Sequence, residues 1–449
     1  MERDLHLGLR RRLSSGVIVS FLVRSSAVGL SLLASVVLAR LLGPEAYGVF
    51  TYAVTISALL VIPASFGWPQ LLVRLTASYR QTASWSALRG MLLFAPLSVL
   101  AVSLFLTLGG VAVMAIWPSL ASEANKQAFY LALLVVPVMA LTMIVSSVVR
   151  GLHRVILAQL SEQVVRPSVL VLLLLISVLA FGVTLNAERA VALYLVSWSV
   201  ALSFGLAVAL RHLPWHDLAV RAAYPVASWL RSAAPLLLSG GMFFLHSRTD
   251  ILMIGVFESA DQVGIYQVAS KSSGVLLFFL TLIAAVIAPY VASLYSAGEN
   301  RALQRVLSYS VGFAFLATLP AVLILFFFGE ALVALIFGPD YVLAYAPMAI
   351  LAAGYFFSVC MGSCGLVLNM TGFEKKGAIG LGISSVANVA LNLLLIPQMG
   401  IEGAALATAL SIVLWNVLLV RFVRQSTQLD TTLLGFFRQP LLRELRFRS

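Results

Sequence analysis

Long apolar runs separated by short basic or acidic connections dominate the chain. A bilayer-spanning helix needs about 20 mostly apolar residues. Runs of that kind fall at 16–40, 46–69, 88–116, 128–149, 155–182 and 189–210, then at 232–257, 262–288, 306–328, 342–370, 376–397 and 401–424. A helix satisfies its own backbone polar groups in lipid, so the pattern predicts an all-α integral membrane protein of about twelve transmembrane helices. Arg10-Arg11-Arg12 ahead of the first run resembles a secretory signal. That run is too long for one and continues into a hairpin pattern, so it reads as an uncleaved first span.

The hairpin pattern occurs twice. His246 to Lys271 carries an apolar helix to an acidic turn at Glu258–Asp261 and back through Val-Gly-Ile-Tyr; residues 35–56 have the same design. Gly264-Ile265-Tyr266 lies over Gly48-Val49-Phe50 at an offset of 216, which also sets Asp261 on Glu45. A second match, Arg150-Gly-Leu-His-Arg154 against Thr371-Gly-Phe-Glu-Lys375, gives 221 when Gly151 is set on Gly372. Two matches half a chain apart imply two homologous halves. Six spans per half is an even number, so the halves read as parallel-related six-helix bundles around a central cavity. The expected divisions are an N-terminal lobe at 1–213, an interfacial linker at 214–230, a C-terminal lobe at 231–424 and a basic tail at 425–449.

Composition narrows the class. Hydrophobic residues make up 61% of the 449, charged residues 10%, and the mean hydropathy is +1.02. Soluble chains carry about 25% charged residues, so a water-soluble globule is excluded. The net charge of +12 is not a nucleic-acid footprint, because its distribution follows the membrane. Twenty-two arginines and lysines fall in alternate connections and at both ends, against only Arg40, Lys126 and Arg189 in the others. Basic loops stay cytoplasmic, which places both termini there. Trp215 and Trp229 among the arginines of 211–231 suggest a segment lying in the interface. Cys360 and Cys364, one helical turn apart in an apolar run, read as packing residues.

Six ionisable groups remain inside the spans: Arg24, Glu162, Arg166, Arg248, Asp250 and Lys271. Each costs roughly 2.5–3.5 kcal/mol at a helix centre, so they should face a wet cavity or pair. Arg24, Arg248 and Lys271 are the candidate lumen cations. Glu162 and Arg166, four apart, are placed to bridge each other, with Pro167 kinking the helix beside them. Asp250, His246, Glu162, Arg166, Asn388 and Asn392 are further candidates for lining the lumen or binding a coupling proton or sodium ion. Helix–helix hydrogen bonding is the structural alternative for the asparagines, and an Asp250–Lys271 bridge is the alternative for that pair. Four cations against two carboxylates favour an anionic substrate such as a phosphate or diphosphate. No phosphate-binding loop, metal-ligand spacing or extramembrane catalytic segment is visible, so the chain reads as neither an enzyme nor a holder of cofactor or metal.

The motifs together resemble the polysaccharide-flippase family within the multidrug, oligosaccharidyl-lipid and polysaccharide exporter superfamily. The residues carrying the resemblance are Leu38-Ala-Arg-Leu-Leu-Gly-Pro-Glu-Ala-Tyr-Gly48, Asp250-Ile-Leu-Met-Ile-Gly255 with Val263-Gly-Ile-Tyr266, and Asn388-Val-Ala-Leu-Asn-Leu-Leu-Leu-Ile-Pro397 followed by Gly400-Ile-Glu-Gly-Ala-Ala-Leu-Ala-Thr408. The resemblance implies two six-helix lobes that rock to open alternately to each side of a bacterial or archaeal inner membrane. It implies flipping of polyprenyl-diphosphate-linked oligosaccharide to the outer leaflet, with cationic lumen residues for the diphosphate. Membrane lipids, a proton or sodium gradient and glycan assembly machinery are the partners it suggests. An ion-coupled multidrug or small-metabolite antiporter of the same superfamily is the alternative, and it would need essential membrane carboxylates to outnumber essential cations.

Overall fold

In the computed structural model the apolar runs are helices, and the described residues (2–117, 125–182 and 184–438) contain no strand. Within the first helix, side chains are described at Val23 and from Ser25 onward. Nine helices among the described residues are long and apolar enough to cross a membrane. The protein is an all-α multi-pass membrane protein. The chain divides into two compact units, Met1–Phe244 and Leu245–Ser449.

In the first unit, α1 (Glu2–Ser65) is interrupted at Gly43, whose φ of +73° precedes Pro44. Glycine takes that left-handed conformation without Cβ strain. Ser35 Oγ and the Tyr47 hydroxyl are 2.7 Å apart, whereas twelve residues of straight helix would separate them by about 18 Å. The chain therefore reverses at Gly43. Next come α2 (Trp68–Gln81), α3 (Trp85–Ile116) and α4 (Lys126–Gly151). A broken helix follows, made of α5 (Val155–Leu160), a π-turn (Ser161–Val165) and α6 (Arg166–Leu179), and then α7 (Ala187–His212). The break has a local cause. Pro167 lacks the N–H that would bond the Gln163 carbonyl, and its ring crowds that carbonyl; the preceding turn widens to a π-turn. Ser161 Oγ donates to the Ala201 carbonyl at 2.6 Å and pins the widened turn to α7.

The connection after α7 does not lie loose in the interface. The Ala223 N–H donates to the Ser86 carbonyl at 2.9 Å, Arg89 Nη1 donates to the Val220 carbonyl at 2.6 Å, and a Cβ at Gly90 would overlap Ala223. Trp215 is 57% exposed. Trp229 is not interfacial: it is 1% exposed and packs on Trp68 and Phe94, with Nε1 donating to the Tyr79 hydroxyl at 3.0 Å. This packing attaches 213–230 and the start of α8 (Val226–Phe257) to α2 and α3. The division between compact units falls inside α8, at Phe244/Leu245.

The second unit holds the end of α8, then α9 (Ala260–Gly274), a 3-10 turn and α10 (Phe278–Ser296). It continues through α11 (Asn300–Ile336), a 3-10 turn, α12 (Tyr345–Met361), α13 (Cys364–Met370) and α14 (Glu374–Thr427). A short α15 (Leu433–Phe437) follows. α14 is another hairpin. Gly400 has φ +56°, and a Cβ at Gly403 would overlap the Leu395 carbonyl. The sequence expectation of twelve spans depends on both glycine reversals and on counting α8, which is not among the nine.

The two units share a corner, in a register that differs from the one expected. The Arg154 N–H bonds the Val149 carbonyl at 3.1 Å, and the Phe373 N–H bonds the Leu368 carbonyl at 2.8 Å. The left-handed residue is His153 in one corner and Gly372 in the other. The equivalence is therefore 153 to 372, an offset of 219. Setting glycine on glycine misplaced it by two, because histidine also tolerates the left-handed region.

The start of the basic tail is docked. Gln304 clamps the backbone of Asp430, donating to its carbonyl at 2.7 Å and accepting from its N–H at 2.8 Å. Cys364 Sγ lies 3.0 Å from Thr431 Oγ1, and both cysteines are free thiols. The remaining tail arginines, Arg443, Arg446 and Arg448, lie outside the described residues.

Candidate functional site

The second unit gathers three of the candidate polar groups, Asp250, Asn388 and Asn392, into one buried network. Asp250 on α8 is 6% exposed. Its Oδ2 accepts from the Tyr266 hydroxyl of α9 at 2.7 Å, and its Oδ1 accepts from the Ile251 N–H at 2.8 Å. Tyr266 is fully buried and is also reached by Thr408 on the second arm of α14. Asn388 on the first arm donates to Thr408 Oγ1 at 3.4 Å and to Ser411 Oγ at 3.0 Å. Asn392 donates to the Asn388 carbonyl at 2.8 Å and to its Oδ1 at 3.1 Å. A polar path thus runs from α8 through α9 to both arms of α14. Asn388 and Asn392 are at most 1% exposed; Asn388 spends its amide on the neighbouring arm, the cross-helix bonding that apolar surroundings favour, and Asn392 spends its own on Asn388 one turn earlier in the same arm. The Asn392 Oδ1 atom is buried without a partner.

Arg248 stands apart from this path. Residues 248 and 250 are about 200° apart around a helix, and Arg248 is half-buried where Asp250 is buried. The Arg248 charge reaches both Asp250 and Tyr355 of α12, yet among the described residues it makes no ion pair within 4.0 Å. His246 sets its ring against Trp415 at 4.9 Å between centroids, and His246 Nδ1 and Trp415 Nε1 are both buried without hydrogen bonds. Lys271 is half-buried in the last turn of α9. Neither oxygen contact of Asp250 involves it.

The first unit carries a second cluster on the π-turn. The expected Glu162–Arg166 bridge does not form. An i, i+4 pair can meet on a regular helix face, but here each charged group takes a partner on another helix. Arg166 Nε donates to the backbone carbonyl of Glu162 at 3.3 Å, and the guanidinium lies over Trp198 and Tyr194 at 5.1 and 5.7 Å. The Glu162 carboxylate instead approaches Arg150 Nη2 of α4 at 3.8 Å. Arg24 is on α1, and its side chain lies outside the described residues.

Tyr266, Tyr355, Tyr194 and Trp198 escaped the sequence reading. The first had a signal: Asp250 and Tyr266 each lie eight residues from Glu258, so a hairpin turning there sets them opposite each other. The two aromatics under Arg166 had none, since α7 is far from it in sequence.

With this geometry in place, similarity to known proteins decides the family. The profile for the family described as polysaccharide biosynthesis protein matches residues 13–295, more than half of the chain. The chain belongs to the polysaccharide biosynthesis protein family. A MatE profile matches residues 235–394, the stretch bearing Arg248, Asp250, Lys271, Asn388 and Asn392. This polysaccharide biosynthesis protein is 31% identical over 182 residues to a probable low-salt glycan biosynthesis flippase, Agl15, of Haloferax volcanii. That match spans 40% of the chain and 38% of the relative, well short of the relative's full length. Two solved structures share the fold over nearly the whole chain. An inward-facing multidrug resistance MATE family transporter of the MOP superfamily superposes with a TM-score of 0.70 at 15% identity, covering 94% of this chain and 99% of that one. The lipid II flippase MurJ, inward closed, gives 0.69 at 14% identity over 91% and 87%.

Proposed function

We propose that the protein is a flippase that carries polyprenyl-diphosphate-linked oligosaccharide from the cytoplasmic to the outer leaflet of the cell membrane by alternating access, both termini being cytoplasmic. The observation carrying this reading is the charge state around Arg248. Both Asp250 oxygens take their hydrogen bonds from Tyr266 and Ile251, and among the described residues Arg248 has no ion-pair partner within 4.0 Å, so its N–H donors remain for another anion. A cation at membrane depth without a hydrogen-bonded counter-ion is costly unless it faces a wet cavity or an anionic ligand. Family membership and the flippase relative agree with a lipid-linked glycan as that partner.

In this mechanism Arg248, Lys271 and Arg24 replace water around the diphosphate with charge-assisted hydrogen bonds, while the prenyl tail stays in lipid. Exchange of access then releases the headgroup on the far side. Asp250, His246 and Glu162 are the groups available to a coupling proton or sodium ion.

The test is transfer of a fluorescent prenyl-diphosphate glycan across reconstituted vesicles. Arg248→Ala and Lys271→Ala should each slow transfer at least tenfold, with Arg248→Lys retaining part of it; unchanged transfer in both alanine variants overturns the cation assignment. The MatE match over 235–394 favours one other reading, an ion-coupled antiporter. It requires the opposite ranking, with Glu162→Gln and Asp250→Asn abolishing transport and the cation variants sparing it.

A further inference from the structure

A cleft of about 440 Å³ opens in the first unit between α3, α4 and α7, a volume within the range of small-molecule sites. Its walls are apolar, from Leu92, Pro96, Ile144 and Val148 to Leu206, and the connection at Trp215 and Leu218 forms its roof. Leu93, Leu206, Leu210 and Trp215 are 41–57% exposed, so the cleft is open at the surface. One ionisable group lines it, the exposed Arg89. Arg89 Nη1 is held by the Val220 carbonyl, and a guanidinium has five N–H donors in all. Trp215 Nε1 donates to the Leu210 carbonyl at 2.7 Å, which anchors the ring beside the opening. The roof is flanked by exposed Arg211 and Arg221 against a single acid, Asp217.

An apolar slot with a cation at its rim and a tryptophan at interface level complements one molecular class, an amphiphile with a negative headgroup. We propose that this cleft binds an anionic glycerophospholipid, one acyl chain filling the slot and the headgroup phosphate resting on Arg89. The diphosphate substrate fits less well, since among the described residues one cation, Arg89, lines the site. All lining residues belong to the first unit, and the proposal holds whether or not the flippase reading does. A lipid seated there contacts α3, α4, α7 and the connection together, so it should also hold the connection against the bundle.

The test uses the full-length protein in neutral detergent, titrated with phosphatidylglycerol or phosphatidylcholine of identical chains and followed by native mass spectrometry. One saturable phosphatidylglycerol per chain is expected, bound about tenfold more tightly than phosphatidylcholine, or about 1.4 kcal/mol. Arg89→Gln should erase that preference and Arg89→Lys should keep it. Leu206→Trp leaves the Arg89–Val220 bond in place and tests the slot independently; it should weaken both lipids. Equal affinity of the wild type for the two lipids overturns the proposal, as does a preference surviving in Arg89→Gln or undiminished binding in Leu206→Trp.

Discussion

The Tyr266 hydroxyl donates to Asp250 Oδ2 at 2.7 Å, joining α8 and α9 between residues sixteen apart in sequence. Removing the donor leaves a buried carboxylate oxygen unsatisfied, which costs about 1–3 kcal/mol. Tyr266→Phe should destabilise the protein by that amount in detergent unfolding. The loss should shrink in an Asp250→Asn background, because the two groups act as a pair. Strict additivity would show that the bond contributes nothing.

Two glycines in apolar helices should respond oppositely to alanine. At Gly403 a Cβ would overlap the Leu395 carbonyl, backbone that cannot step aside, whereas at Gly240 nothing lies within 4 Å. Gly403→Ala should cost about 1–3 kcal/mol through overpacking of the α14 hairpin. Gly240→Ala should be neutral or slightly stabilising, since helix-interior glycine is itself unfavourable by about 0.5–1 kcal/mol relative to alanine. Melting temperatures of the two variants provide the comparison.

The docked tail should impose an acid limit on stability. Burial alone would raise the Asp430 carboxyl, but hydrogen bonds from the Thr432 hydroxyl and N–H, together with the Arg424 guanidinium at 3.0 Å, hold it below its ordinary value of 3.8. The folded state therefore binds this proton less readily than the unfolded state. The stabilisation is complete above the ordinary value and is lost as pH falls through the lower folded value. Asp430→Asn should flatten the pH dependence of melting in that acidic window and leave its slope at neutral pH unchanged.

The orientation proposed from the basic connections is tested by reporter fusions. Reporters placed after Glu188 and after Lys376 should report opposite sides of the membrane, the second cytoplasmic. The same side for both would break the assigned topology.

The spans and the hairpins were legible because their signals are local: apolar length, Gly43-Pro44 and Gly400 at the reversals, and acidic residues at Glu258–Asp261. The π-turn was only half legible. Pro167 announces a disturbance, but whether the chain kinks or inserts a wide turn depends on what receives Ser161, and that is Ala201 on α7. Arg166 lies over Trp198 of α7, a partner remote in sequence, instead of bridging Glu162. The interfacial placement of Trp229 failed for a related reason. Tryptophan among arginines fits an interface and a buried cluster alike, and only Trp68 and Phe94, remote in sequence, decide between them.

The most direct measurement of the central claim is the initial rate at which reconstituted wild-type protein transfers two otherwise identical prenyl glycans, one joined through a diphosphate and one through an uncharged linkage. Positively charged membrane groups serving a phosphorylated headgroup require transfer of the diphosphate lipid at least tenfold faster than its neutral counterpart. Equal rates for the two would contradict the account.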